Sequence, residues 1–208
     1  KTVPGVYLRS EEGYGLFPNI SLRGVDPNRS SKVTILEDGV PSSPSPFSDP
    51  SAYYSPTSGR MSGFEVLKGS SQIKLGPNTT GGVINYLSTP IPQEVTSYFR
   101  GSYGSNNERT GHAYAGGQVE LDGSKLGYLF ELFDTHTDGW KTINALADRV
   151  SSNAPVSKTD IMLKLSYELS ESSYLEFKFG RTDLDGDVSY IGLTKSDFAV
   201  NPYQRYAG

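Results

Sequence analysis

The chain has 208 residues, a formal net charge of −4, 23 glycines and no cysteine. The acidic balance gives no basic surface for a nucleic acid, and the lack of cysteine excludes disulfides and thiolate metal sites. No apolar run approaches the ~18 residues of a membrane-spanning helix, although strands that alternate apolar and polar residues leave a weaker hydropathy signal.

The first part of the chain, up to about residue 92, is rich in Gly, Pro and Ser and carries short apolar runs. We predict short strands at Val6–Leu8 and Ile20–Leu22, and a clearer strand at Lys32–Leu36 closed by the turn pair Asp38-Gly39. The stretch 41–56 contains five prolines, which exclude a helix or a central strand. We predict an exposed loop there, which is either a simple connector or a ligand-facing loop.

The stretch 58–89 holds two apolar runs on either side of the turn Gly76-Pro77-Asn78. The runs Phe64–Leu67 and Val83–Leu87 fit short strands. A Gly-Gly pair precedes the second run, and glycine permits a positive φ and the close approach of another backbone. This stretch is therefore predicted to be a compact β element packed tightly against its surroundings.

Beyond Pro92 the sequence alternates between polar and apolar residues. Five segments are predicted as strands, namely Thr96–Tyr103, Thr110–Val119, Lys125–Phe133, Asp160–Leu169 and Tyr174–Phe179. The predicted apolar face includes Phe99, Tyr103, Leu163, Leu165, Leu175, Phe177 and Phe179, and the opposite face carries Arg100, Lys164, Glu168, Glu176 and Lys178. The third segment is apolar on both faces, so the pattern does not decide which of its residues belong to the apolar face of the sheet. The pattern fits a half-buried antiparallel sheet or a barrel wall, and tight connections on one side with longer ones on the other favour the barrel.

Three motifs, in order, carry a family resemblance. They are Ile20-Ser-Leu-Arg-Gly24, Leu36-Glu-Asp-Gly-Val-Pro41 and the stretch FEVLKG…LGPNTTGGVINY between residues 64 and 86. These motifs resemble the plug-domain signatures of TonB-dependent outer-membrane receptors. The tail 197–208, DFAVNPYQRYAG, is similar to the ferric-dicitrate (siderophore) type of these receptors in particular.

The resemblance implies a mainly β fold in two parts. Residues 1–92 would be a plug domain, a small mixed sheet with loops whose N-terminal part is missing. Residues 93–208 would be the first five or so antiparallel strands of a large transmembrane β-barrel. A plugged barrel needs about 22 strands, so we expect a fragment that is cut at both ends.

The function that the resemblance implies is that of a receptor in the outer membrane of a Gram-negative-type bacterium. It would import an iron chelate, such as a siderophore or ferric citrate, by TonB-dependent active transport. The expected partners are the iron chelate, outer-membrane lipid and the energy-coupling protein TonB, whose coupling segment is absent from this chain. Iron would be carried as a chelate, so no cofactor is expected. No catalytic constellation is visible, and we predict that the protein is not an enzyme.

The resemblance also implies site residues in the plug. Arg23 and Lys68 occupy positions where the family uses cations, usually arginines, to bridge the plug to glutamates of the barrel wall; the alternative is that they are merely exposed cations. The ligand-facing candidates are Glu11, Glu12, Asn28, Arg29, Phe47 and Asp49. Counted without gaps, Glu11 and Asp49 fall on or near plug positions that are polar and uncharged in ferric-dicitrate receptors. Carboxylates there would repel an anionic chelate within ~8 Å, so a neutral or cationic chelate, or arginines elsewhere in the receptor, is predicted.

Two further interpretations stay open. One is a receptor of the same fold for another cargo, such as cobalamin or an oligosaccharide. The other is a soluble β-sandwich adhesion or carbohydrate-binding module, which predicts a second sheet over the aromatic face.

No metal site is predicted in the chain. His112 and His136 are its only two histidines, one within a predicted strand and one at the start of a predicted loop. The acids of Asp183-Leu-Asp185-Gly-Asp187 resemble a calcium loop, but the glycine is misplaced, so a solvated loop is predicted.

Overall fold

The computed structural model of the chain describes residues 3–10, 13–42, 54–75, 80–121, 123–145, 150–170, 172–187 and 192–206. These residues form two compact units that divide between Thr89 and Pro90. In this part of the chain no helix is both long enough and apolar enough to cross a membrane.

The first unit begins with a two-stranded antiparallel sheet made of β1 (Val6–Ser10) and β2 (Pro18–Leu22). A mixed sheet follows, built from β3 (Val33–Glu37), β4 (Val40–Pro41), β5 (Met61–Leu67) and β6 (Gly82–Ser88). Its order is β4-β3-β6-β5, with β3 and β6 parallel and the two outer strands antiparallel to their neighbours. The predicted small mixed sheet is confirmed.

The core of the first unit lies between β2 and the central strands β3 and β6. Its buried members are Ile20, Leu22, Val33, Ile35, Ile84 and Tyr86. Gly82, at the start of β6, has φ +143°, and a Cβ there would lie 2.6 Å from the carbonyl oxygen of Leu67 and would clash with the side chain of Leu22. The Gly-Gly pair therefore serves the close packing that the sequence predicted.

The second unit is a five-stranded antiparallel sheet in which each strand pairs with the next along the chain. Its strands are β7 (Thr96–Tyr103), β8 (Arg109–Leu121), β9 (Ser124–Thr137), β10 (Val156–Ser170) and β11 (Ser173–Gly186). A short helix, α1 (Lys195–Val200), follows. All five predicted strands are present.

Four of these strands are longer than the alternation predicted. In particular, β11 extends to Gly186, so Asp183 and Asp185 lie in a strand and the solvated loop predicted for them is wrong. They pair with Thr159 and Ser157 of β10. The backbone ladder continues there because it depends on hydrogen bonds rather than on apolar side chains.

The segment that precedes β7 packs against glycines of β8 and β9. A Cβ added to Gly116 would lie 3.0 Å from Cδ of Pro92, and one added to Gly127 would lie 3.0 Å from Cγ2 of Ile91. Any larger side chain at these two positions would push this segment away from the sheet.

Candidate functional site

One face of the second sheet carries all of its buried charged side chains. The strand register places on it Tyr98, Arg100, His112, Tyr114, Leu129, Glu131, Phe133, Lys158, Asp160, Met162, Lys164, Glu176, Lys178 and Thr182, which we call the polar face. Glu131 is 0% exposed, and Lys164 is only 5% exposed. Charged side chains are almost never this buried in proteins unless they are paired.

The opposite face of the same sheet, the apolar face, is exposed. It includes Phe99, Tyr103, Phe130, Leu132, Leu163, Leu165, Leu175, Phe177 and Phe179. Phe99 is 79% exposed and Phe177 is 54% exposed. In β10 the predicted alternation is confirmed, because Lys158, Asp160, Met162 and Lys164 are buried while Leu165 is exposed. Both faces of β7 and most of β11 are exposed, so their face assignment stays a prediction.

His112 and Glu131 form the central pair of the polar face. Nε2 of His112 lies 2.8 Å from Oε1 of Glu131, and both side chains are buried. The imidazole ring is surrounded by the rings of Tyr98, Tyr114 and Phe133, whose centroids lie 5.3 to 5.9 Å from its own. Sequence reasoning missed this pair because it requires the phase of β9, which the apolar residues on both faces left open.

A second buried acid lies beside this pair. Asp160 is 2% exposed and accepts a hydrogen bond from the hydroxyl of Thr182 on β11. Lys158 and Lys164 share its strand and its face, and both are buried. The polar face therefore carries charges of both signs within one hydrogen-bonded sheet, an arrangement that suits a wall facing polar contents.

The two predicted plug cations lie near the same short segment of the first unit. The backbone N–H of Arg23 donates to the carbonyl oxygen of Gly5 at 2.8 Å, and Nζ of Lys68 donates to that of Pro4 at 2.5 Å. Arg23 is exposed and has a φ of 55°, whereas Lys68 is half-buried. Their proposed contact with a barrel wall stays a prediction.

The candidate residues Asn28 and Arg29 belong to a loop that is anchored to β2. The N–H of Arg29 donates to Oδ1 of Asn19 at 2.5 Å. Oγ of Ser30 donates to the carbonyl oxygen of Pro18 and accepts from the N–H of Ile20, each at 2.9 Å. Asn28 is exposed on this loop. The other four ligand-facing candidates, Glu11, Glu12, Phe47 and Asp49, lie outside the described residues.

A buried ion pair joins the last residue of β3 to the residue that precedes β5. Nη2 of Arg60 lies 2.9 Å from Oε1 of Glu37, and the hydroxyl of Tyr54 donates to the same carboxylate. Nearby in the same sheet, burial raises the pKa of Tyr86, and a hydrogen bond with Ser55 partly offsets this rise. Sequence reasoning missed the Arg60–Glu37 pair, since no spacing in the chain signals it.

Metal ligation has little support in the described part of the chain. No group of three or more His, Asp or Glu residues is clustered there. Nε2 of His136 instead lies 3.1 Å from Oδ1 of Asp138, and this contact is the main reason that the pKa of Asp138 is lowered.

A family match covers the first unit. Residues 1–83 match the family described as TonB-dependent Receptor Plug Domain. The first unit is therefore recognised as a TonB-dependent receptor plug domain. Members of that family are outer-membrane receptors and transporters of Gram-negative bacteria rather than enzymes.

Known receptors extend the match to the second unit. The vitamin B12 transporter BtuB of Vibrio vulnificus is 27% identical over 191 residues, which are 91% of this chain and 29% of that protein. The crystal structure of the ferric citrate transporter FecA in the unliganded form covers 98% of this chain with a TM-score of 0.74 and 24% identity. The ferric yersiniabactin uptake receptor FyuA from Yersinia pestis covers 87% of the chain with a TM-score of 0.66 and 22% identity.

These comparisons establish the fold of the chain as that of a plug followed by the first strands of the receptor wall. The chain spans 30% of the FecA structure and 27% of the FyuA structure. The sandwich interpretation is wrong, because the fold matches that of the receptor structures.

Proposed function

We propose that the receptor containing this chain imports an iron chelate across the outer membrane by TonB-dependent active transport. The observation that carries this proposal is that one chain holds a plug domain and an antiparallel sheet that buries charged side chains on one face and exposes aromatic side chains on the other. A wall of this kind separates lipid from polar contents. A plug domain and a wall of this kind in one chain support gated passage rather than free diffusion.

The names of the structural neighbours support iron as the transported metal. They include receptors for ferric citrate and ferric yersiniabactin, and a ferric enterobactin receptor from Pseudomonas aeruginosa. Iron would enter as a chelate and would be cargo rather than a resident cofactor. The partners would be the chelate, outer-membrane lipid and TonB.

The experiment that tests this proposal uses the full receptor. Purified receptor is titrated with ferric citrate and with ferric siderophores of neutral and positive charge, and uptake of radioactive iron is measured in cells with and without TonB. Saturable binding together with TonB-dependent uptake supports the proposal. Uptake that is equal in both strains would exclude active transport, and a lack of binding to every iron chelate would exclude iron.

The two carboxylates predicted to face the ligand, those of Glu11 and Asp49, define the expected charge of the cargo. If Glu11 and Asp49 face the chelate, Asp49→Gln raises affinity for ferric citrate, most strongly at low salt, because it removes one repulsive charge. The matched control is Glu94→Gln, which removes one exposed carboxylate outside the plug unit. Tight wild-type binding of ferric citrate that Asp49→Gln leaves unchanged would show that this carboxylate does not face the ligand.

A corrinoid is the second candidate cargo. The observation that favours it is the similarity to a vitamin B12 transporter over 91% of the chain. Cyanocobalamin added to the same titrations distinguishes the two, since a corrinoid receptor binds it in the absence of iron.

A further inference from the structure

The segment that follows β11 contains the tail motif noted in the sequence, and it folds around one residue. The backbone carbonyl of Asp197 accepts from the N–H of Asn201 at 2.9 Å and from Nε2 of Gln204 at 3.0 Å. Its carboxylate accepts from the hydroxyl of Thr194 at 2.6 Å and from the hydroxyl of Tyr206. Asp197 therefore ties both ends of the segment together, so the segment holds its own shape.

Two contacts join this segment to the connection between β9 and β10. The N–H of Asn144 donates to the carbonyl oxygen of Tyr203 at 2.8 Å. Nη2 of Arg205 donates to the carbonyl oxygen of Val150 at 2.5 Å, although these residues are 55 positions apart. The two contacts engage opposite arms of the same connection.

The connection between β9 and β10 is itself folded back into a short hairpin. Ile143 and Ser152 exchange two backbone hydrogen bonds of 2.9 and 3.0 Å, and the N–H of Lys141 donates to the carbonyl oxygen of Asn153 at 3.2 Å. The hydroxyl of Ser152 also donates to Oδ2 of Asp187, directly after β11, at 2.6 Å. The arms of the hairpin are therefore fixed to each other and to the end of β11.

We propose that residues 138–145, 150–155 and 192–206, here called the clasp, open and close as one cooperative unit that Arg205 and Asn144 fasten. The two arms are bonded to each other, and 192–206 is closed by its own hydrogen bonds. The contacts of Asn144 and Arg205 link the arms to 192–206 without involving the sheet. Elements linked in this way share one opening equilibrium. A ligand that contacts either arm then shifts the other. This inference requires no particular cargo, so it can fail while the proposed function stands.

The test is amide hydrogen exchange on the full receptor in detergent, comparing wild type with Arg205→Gln and with Tyr206→Phe. Arg205→Gln removes the guanidinium contact to Val150. Tyr206→Phe removes the hydroxyl that donates to Asp197 and accepts from the N–H of Thr194. The matched control is Lys195→Gln, which removes an exposed cation from α1. The peptides followed are those that report on 138–145, 150–155 and 192–206, with β9 as an internal reference.

The expected result is that Arg205→Gln accelerates exchange about tenfold in all three parts of the clasp, as the loss of one charge-assisted hydrogen bond allows. Tyr206→Phe should accelerate the same three parts by one common factor, and Lys195→Gln and β9 should match wild type. Acceleration confined to 192–206 in both variants would overturn the proposal, because the arms would then open independently.

Discussion

His112 and Glu131 are joined by a hydrogen bond of 2.8 Å that runs diagonally across the β8–β9 pair, since His112 lies opposite Phe133 and Glu131 lies opposite Tyr114. On β9, Leu129, Glu131 and Phe133 lie on the buried side of the wall. Phe130 and Leu132 lie on the exposed side.

The first prediction concerns this pair. Glu131→Leu should destabilise the full receptor by about 1–3 kcal/mol, because it leaves the buried ring nitrogen of His112 without this acceptor. Glu131→Gln keeps a side-chain oxygen at the same position and should cost less. Thermal unfolding in detergent measures both variants. If the two variants are destabilised equally, the loss of stability does not come from the hydrogen bond to His112.

The apolar face gives the second prediction. Leu165 is 39% exposed near the middle of β10, and Leu165→Arg should destabilise the inserted receptor by about 2–4 kcal/mol because it places a charge against lipid. Val200→Arg, at an exposed apolar residue of α1, is the matched control and should be neutral. The resistance of the folded receptor to heat in detergent reports both. If Leu165→Arg is as stable as Val200→Arg, this face does not contact lipid.

Two glycines of β8 provide the third prediction. A Cβ at Gly116 would lie 2.6 Å from the carbonyl oxygen of Tyr128 and 2.9 Å from Cδ1 of Leu129, whereas one at Gly111 meets nothing within 4 Å. Gly116→Ala should therefore destabilise the receptor by about 1–3 kcal/mol through overpacking. Gly111→Ala should be neutral or slightly stabilising, since alanine restricts the unfolded chain more than glycine does. Comparable melting temperatures for the two variants would contradict the packing described for this strand.

The fourth prediction is a pH dependence of the segment around Asp197. Hydrogen bonds from Thr194, and then from Tyr206, lower the pKa of this carboxyl from its ordinary value of 3.8. Because the folded state favours the charged form, the stabilisation is complete above pH 3.8 and is lost as the pH falls through the lower, folded-state pKa.

A nitroxide label at the exposed Val200 provides the measurement. Its mobility should stay constant from neutral pH to about pH 4 and rise below that. In Asp197→Asn the label should be mobile at neutral pH and insensitive to acid. A transition that persists unchanged in Asp197→Asn would assign the titration to another group.

The sequence by itself determined the number and order of the strands in the second unit and the two faces of β10. The alternation around Phe99, Leu165 and Phe177 has a period of two, and that period follows from the geometry of any extended backbone. The three plug motifs likewise predicted the turn at Asp38-Gly39 and the close packing at Gly82, because glycine and turn chemistry act over a few residues.

Only the tertiary structure decided the phase of β9, the Arg60–Glu37 pair and the contact of Arg205 with Val150. In β9 both faces carry apolar residues, so the register with β8 was needed to select one. Arg60 and Glu37 are 23 residues apart, and Arg205 and Val150 are 55 apart. Such contacts depend on how the chain returns to itself, and a local pattern of residues carries no information about that path.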